Sequence, residues 1–142
     1  MSVQMILLPL FVQVLLTIAL GMNMALRRQS AFASGETRWQ DVALREQKWP
    51  REAIQAANAF ANQFEVPVLF YVLTILALIT KQADLLFVVM AWIFVITRVL
   101  HAGVFVTSNH VPSRGAVFAI GMLILIIMWV IYIIRILTLP WV

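Results

Sequence analysis

The chain has 142 residues, of which 63% are hydrophobic and only 11% charged, and it carries a net charge of +4. A soluble domain carries about 25% charged residues. Here the apolar residues instead fall into blocks close to the ~20 residues that a helix needs to cross a bilayer, which excludes a water-soluble globular fold and leaves no basic domain for nucleic acid.

Four spans are expected, near residues 4–26, 53–80, 85–107 and 116–139, joined by short connections except for loop one at 27–52. Only helices satisfy their own backbone in lipid over spans of this length. The fold class is therefore an all-α integral membrane protein, a bundle of four transmembrane helices, read as one membrane domain over residues 1–142. Six of the ten basic residues (Arg27, Arg28, Arg38, Arg45, Lys48, Arg51) lie in loop one, and Arg114 lies in loop three. The positive-inside rule puts loops one and three in the cytoplasm and both termini outside.

The first span has no basic residue ahead of it and an apolar run too long for a signal peptide, so it reads as a retained helix. Pro9 falls in its first turns, where a missing donor is tolerated. Gln13 and Asn23 are its polar residues, suited to hydrogen bonds between helices. Loop one opens on Arg27-Arg28. These two are either a stop-transfer pair on lipid phosphate or the anchor of an anionic ligand. Trp39 and Trp49 favour a loop lying along the headgroups.

The second span is ~40 Å long against a hydrocarbon thickness of ~30 Å, so its start projects into the cytoplasm. Asn58, Asn62 and Glu65 are spaced by four and three residues, which places them on one helix face. Pro67 leaves the carbonyl of Gln63 without its donor and bends the helix there. Glu65 is about one turn inside the apolar boundary, where a carboxylate is costly and needs a partner. The third span supplies candidates. Arg98 and His101, three apart, share a face at the same depth as Glu65. Arg114 opens the fourth span on that side, and Arg135 near its far end snorkels outward beside Trp141 in the interface belt.

The bland account of these groups is a buried Glu65–Arg98 ion pair that fixes helix packing, with the asparagines and His101 as interhelical links. Such pairs contribute little net stability. Convergence of the group with Arg114 points instead to a polar cavity for an anionic ligand. A metal site is not expected, because His101 and His110 lack an acidic cluster. The chain has no cysteine, so it has no disulfide and no thiol nucleophile, and a thiol chemistry would need a thiol substrate. An ion or proton pathway is disfavoured by the apolar outer half.

Four pieces in this order resemble a known family. They are Arg27-Arg28-Gln29-Ser30-Ala31-Phe32 after the first span, Asn62-Gln63-Phe64-Glu65 followed by Pro67, Arg98-Val99-Leu100-His101, and Arg114 at the fourth span. The chain resembles a bacterial member of the MAPEG family, the membrane-associated proteins in eicosanoid and glutathione metabolism. The resemblance implies a homotrimer in the bacterial inner membrane, with periplasmic termini and sites between subunits that face the cytoplasm. It implies glutathione bound among basic residues, with Asn62 and Glu65 on its backbone and amino group, Arg98 on a carboxylate or bracing Glu65, and Arg114 stabilising the thiolate. A lipophilic co-substrate would enter from the bilayer. Two positions depart from the family's well-studied enzymes, which usually carry arginine where this chain has Asn58 and often tyrosine where it has Phe105. The expected function is a membrane-bound thiol transferase or peroxidase. The alternative, which both departures favour, is a non-catalytic lipid-binding scaffold on the same fold.

Overall fold

The computed structural model describes residues 1–44 and 48–138, so Arg45, Trp141 and the last residue of the expected fourth span lie outside the described residues. Among the described residues five α-helices form: α1 (Val3–Ala33), α2 (Arg51–Ala61), α3 (Val66–Ile79), α4 (Leu85–Val106) and α5 (Val111–Thr138). Short 3-10 turns occupy Trp39–Val42 and Asn62–Phe64. Taken together, α2 and α3 make one span, so among the described residues four helical segments are long and apolar enough to cross a membrane.

Helix α1 starts at Ser2, whose hydroxyl accepts from the Met5 N–H at 3.4 Å. It does not stop where the apolar run stops. Arg27 to Ala33 continue the helix, because Arg, Gln, Ala and Ser offer no breaker. The end of hydrophobicity marks an exit from lipid rather than a helix end. Gly35, with φ +76°, provides the left-handed residue that ends it. Loop one then folds back on the helix end. Phe32 stacks on Trp39 with ring centroids 4.2 Å apart and meets Trp49 edge-on at 5.2 Å.

The second span breaks at Asn62–Phe64, around the Gln63 carbonyl that Pro67 leaves without a donor, and the bend is a full interruption of the helix. Helix α2 ends at Ala61, and Glu65 sits outside helical conformation at φ −97°, ψ −105°. Pro67, in the first turn of α3, cannot donate back to Gln63. Gln63 fixes the break. Its side-chain amide donates to the Ala59 carbonyl at 3.2 Å and accepts from Gln13 of α1 at 2.9 Å, and both glutamines are fully buried. At the other end of the bundle α3 closes on Lys81, with φ 57°, where Gln82 N–H reaches the Ala77 carbonyl at 2.8 Å.

Helix α4 is the central helix, packed on α1, α2 and α5. Over its most apolar stretch 56% is buried, against 22% for α1 and 17% for α5, whose outer faces are left for lipid. Phe70 and Leu73 of α3, Ala91 and Phe94 of α4, and Leu125 of α5 form the main core. Leu20, Ala59, Ala102 and Phe105 form a second cluster beneath loop one. Gly121 lets α5 approach α4 closely, since a Cβ there would lie 2.5 Å from the Thr97 hydroxyl. Helix α5 begins at Val111, with Pro112 in its first turn, so Arg114 is already helical rather than in a loop.

Candidate functional site at the loop-one end of the bundle

Arg98, with 1% exposure, is the most buried charged group among the described residues. A buried guanidinium needs acceptors. Asn62 provides one: Arg98 Nη2 donates to Asn62 Oδ1, while Asn62 Nδ2 donates to Glu65 Oε2 at 2.9 Å. The expected direct Glu65–Arg98 ion pair is therefore replaced by a relay through the asparagine amide. The reason lies in the backbone. The break at Asn62–Glu65 turns Asn62 inward and leaves Glu65 exposed on the flank of the single chain. Asn62 is the only group of this trio with both a donor and an acceptor, so it can join a cation to a carboxylate.

One turn along α4, His101 is 4% exposed. Its Nδ1 lies 3.1 Å from the backbone carbonyl of Arg114. A carbonyl only accepts, so Nδ1 carries the hydrogen, and in the neutral ring Nε2 is a bare acceptor. That nitrogen is buried without a partner. The imidazole packs between Phe105 and Phe118, at 5.8 and 5.7 Å between centroids. Arg98 also lies over Phe118, at 5.8 Å. Phe118 thus joins the two buried polar groups of α4 to the start of α5.

Arg114 is half-buried and held from two sides. Its Nη1 donates to Asn109 Oδ1, and its guanidinium carbon lies 4.2 Å above the Phe105 ring. Asn109 occupies the left-handed region at φ 50°, which asparagine tolerates better than other side-chain-bearing residues. The turn between α4 and α5 therefore presents an amide oxygen to Arg114, and Phe105 supplies an aromatic platform for its guanidinium.

These residues face a cleft of about 300 Å³ lined by Arg51, Ile54, Gln55, Asn58, Phe105, Asn109, Val111 and Arg114. Two guanidiniums and three amides line it, and no carboxylate does. The structure thus brings Asn58 and Arg114 together. It holds Asn62, Glu65 and Arg98 as a deeper group, with His101 linking the two through the Arg114 backbone. Arg27 and Arg28 stand apart from this cleft. Arg27 pairs with Glu52 at 2.7 Å, and Arg28 lies 5.0 Å over the Trp49 ring. Arg27 also borders a separate polar cavity of about 250 Å³ with Asn23, Glu52 and Thr107.

Three polar lining residues do not stand out in the sequence: Arg51 reads as topology charge, Gln55 lies in a polar stretch, and Asn109 falls in a short polar loop. The signal for the first two was present: Arg51, Gln55, Asn58 and Asn62 step by four, three and four along one helix face. Gln55 also donates at 2.7 Å to the Phe105 carbonyl, one of the free carbonyls at the end of α4. Among the described residues no group of three metal-ligating side chains occurs.

Comparison with known proteins agrees with this architecture. No curated protein and no solved structure matches the chain. The family model described as MAPEG family matches residues 6–134, which covers nearly all of the four spans and takes in the Arg98–Asn62–Glu65 relay and the cleft around Arg114. The chain is an integral membrane protein that belongs to the MAPEG family.

Proposed function

We propose that the protein is a membrane-bound transferase or peroxidase that activates glutathione, or another small thiol, for reaction with a lipophilic electrophile. The observation that carries this reading is the setting of Arg114. Its guanidinium lies on an aromatic ring at the wall of a cleft whose lining holds no carboxylate. A fixed cation in such a place favours the ionised form of a thiol and lowers its pKa. The thiolate then attacks the electrophilic carbon. A sulfur–carbon bond forms as the leaving group departs with its electron pair, and the thiol proton goes to solvent. With a hydroperoxide, two thiols would give the alcohol, water and their disulfide.

Asn62 and Glu65 would hold the peptide backbone and amino group of the thiol. Arg98, bonded to Asn62 and screened from water, suits bracing better than direct contact. His101 would position Arg114 through its backbone carbonyl. The exposed flank at Glu65 needs cover at membrane depth, which a neighbouring copy in a homotrimer would give. Loops one and three would face the cytoplasm, as their basic residues favour, with residues 1–142 acting as one membrane domain.

The test follows conjugation of an activated chloro-arene by purified protein. Arg114→Ala should lower the rate at neutral pH at least tenfold, the effect of about one pKa unit on a thiolate fraction. Equal, near-background rates for the two proteins would overturn the reading. A second reading, a non-catalytic lipid-binding scaffold, is favoured by one feature. An open apolar groove of about 310 Å³ runs between α1 and α3, lined by Leu10, Val14, Ile18, Phe64, Tyr71 and Ile75. Co-purified lipid there, without thiol binding, would support it.

A further inference from the structure

Resting on the thiol reading above, we infer that Arg51 anchors a carboxylate of the thiol substrate and so determines which thiols are accepted. Asn58 places a short amide on the wall of the cleft. Asn58 and Arg51 are seven residues apart, two turns along one face of α2, and both line the cleft that holds Arg114. A short amide at Asn58 leaves room for a ligand to reach the longer side chain above it.

The other candidate arginines are engaged elsewhere. Arg27 is paired with Glu52 at 2.7 Å, and Arg28 lies over Trp49. Arg98 is bonded to Asn62 beneath the cleft and does not line it. Arg114 is bonded to Asn109 and stacked on Phe105, which holds it for the sulfur. Arg51 makes no hydrogen bond or ion pair with a described residue. It is also the first residue of α2, where the positive end of the helix dipole adds to its pull on an anion. The cleft thus has two separate cationic points, and a ligand with a thiolate and a carboxylate at its ends matches both. A thiol lacking the carboxylate satisfies only one.

The experiment measures binding and KM for three probes: glutathione, its glycyl ethyl ester, and the analogue whose γ-glutamyl residue lacks its α-carboxylate. Wild type should prefer glutathione over at least one analogue by about tenfold, the scale of a charge-assisted hydrogen bond. Arg51→Gln should lose that preference, with the change falling on KM rather than kcat. Arg51→Lys should retain part of it, and Asn58→Arg placed in the Arg51→Gln protein should restore it. If wild type binds glutathione but Arg51→Gln keeps the same preference, this inference alone is overturned. If wild type binds none of the three, the inference and the thiol reading both fall.

Discussion

Asn62→Leu tests the relay that replaces the expected ion pair. Leucine keeps the branched outline of asparagine and removes both bonds, the acceptor for Arg98 and the donor to Glu65. Arg98 is 1% exposed, so water cannot take over the lost acceptor. A hydrogen bond to a charged group contributes ~1.5–3 kcal/mol, and leaving the charge unpaired costs that amount at least. The bond to exposed Glu65 adds ~0.5–1 kcal/mol. The single variant should therefore lose about 2–4 kcal/mol. The double variant Asn62→Leu/Arg98→Met removes the orphaned charge together with its acceptor, and should recover to within ~1 kcal/mol of wild type. The assay is reversible unfolding in mixed micelles with increasing dodecyl sulfate, followed by helical circular dichroism. A double variant as unstable as the single would refute the argument, because the cost would then not come from the stranded guanidinium.

Other outcomes follow from the same geometry. Asn109→Gly keeps the left-handed turn but releases Arg114, so it should weaken thiol binding with little loss of stability. Asn109→Ala should lose ~1–2 kcal/mol as well, because alanine resists that backbone region. Gly121→Ala should destabilise by ~1–3 kcal/mol through contact with Thr97, and Thr97→Ala should restore stability in the same unfolding assay. At the opposite end of the bundle, Asp84 caps α4 and accepts from Arg135 at 2.7 Å. The Arg135 bond holds the Asp84 carboxyl below its ordinary value against the opposing effect of burial. A depressed acid stabilises the fold above its unfolded pKa of about 3.9 and loses that contribution as pH falls through the lower folded value. Stability should therefore decline below about pH 4 in wild type and decline less in Asp84→Asn; the pair is half-exposed, so the difference should stay under ~1 kcal/mol.

Much of this architecture was legible in the sequence because lipid makes polarity conspicuous. Asn62, Glu65, Arg98 and His101 stand out against apolar runs, and span lengths alone place them at one depth. What was not legible follows from rules that act outside lipid. Helix α1 extends through Arg27 and Arg28 because helix propensity does not stop at the membrane boundary. Helix α5 begins before Arg114 because Pro112 favours a first turn. The replacement of the ion pair by an amide relay depends on the backbone break at Asn62–Glu65, which the spacing of side chains on an unbroken helix cannot show. Arg51 and Asn109 lie in polar surroundings, where a functional side chain resembles its neighbours.

The central claim is that the Arg114 guanidinium stabilises a thiolate in the cleft beside Phe105. Titrating the ultraviolet absorbance of the thiolate against pH, with saturating glutathione on purified protein, measures this directly. The bound thiol should ionise at least one unit below the free value of about 8.5, and Arg114→Ala should return it to that value. Superimposable titration curves for the two proteins would contradict the account.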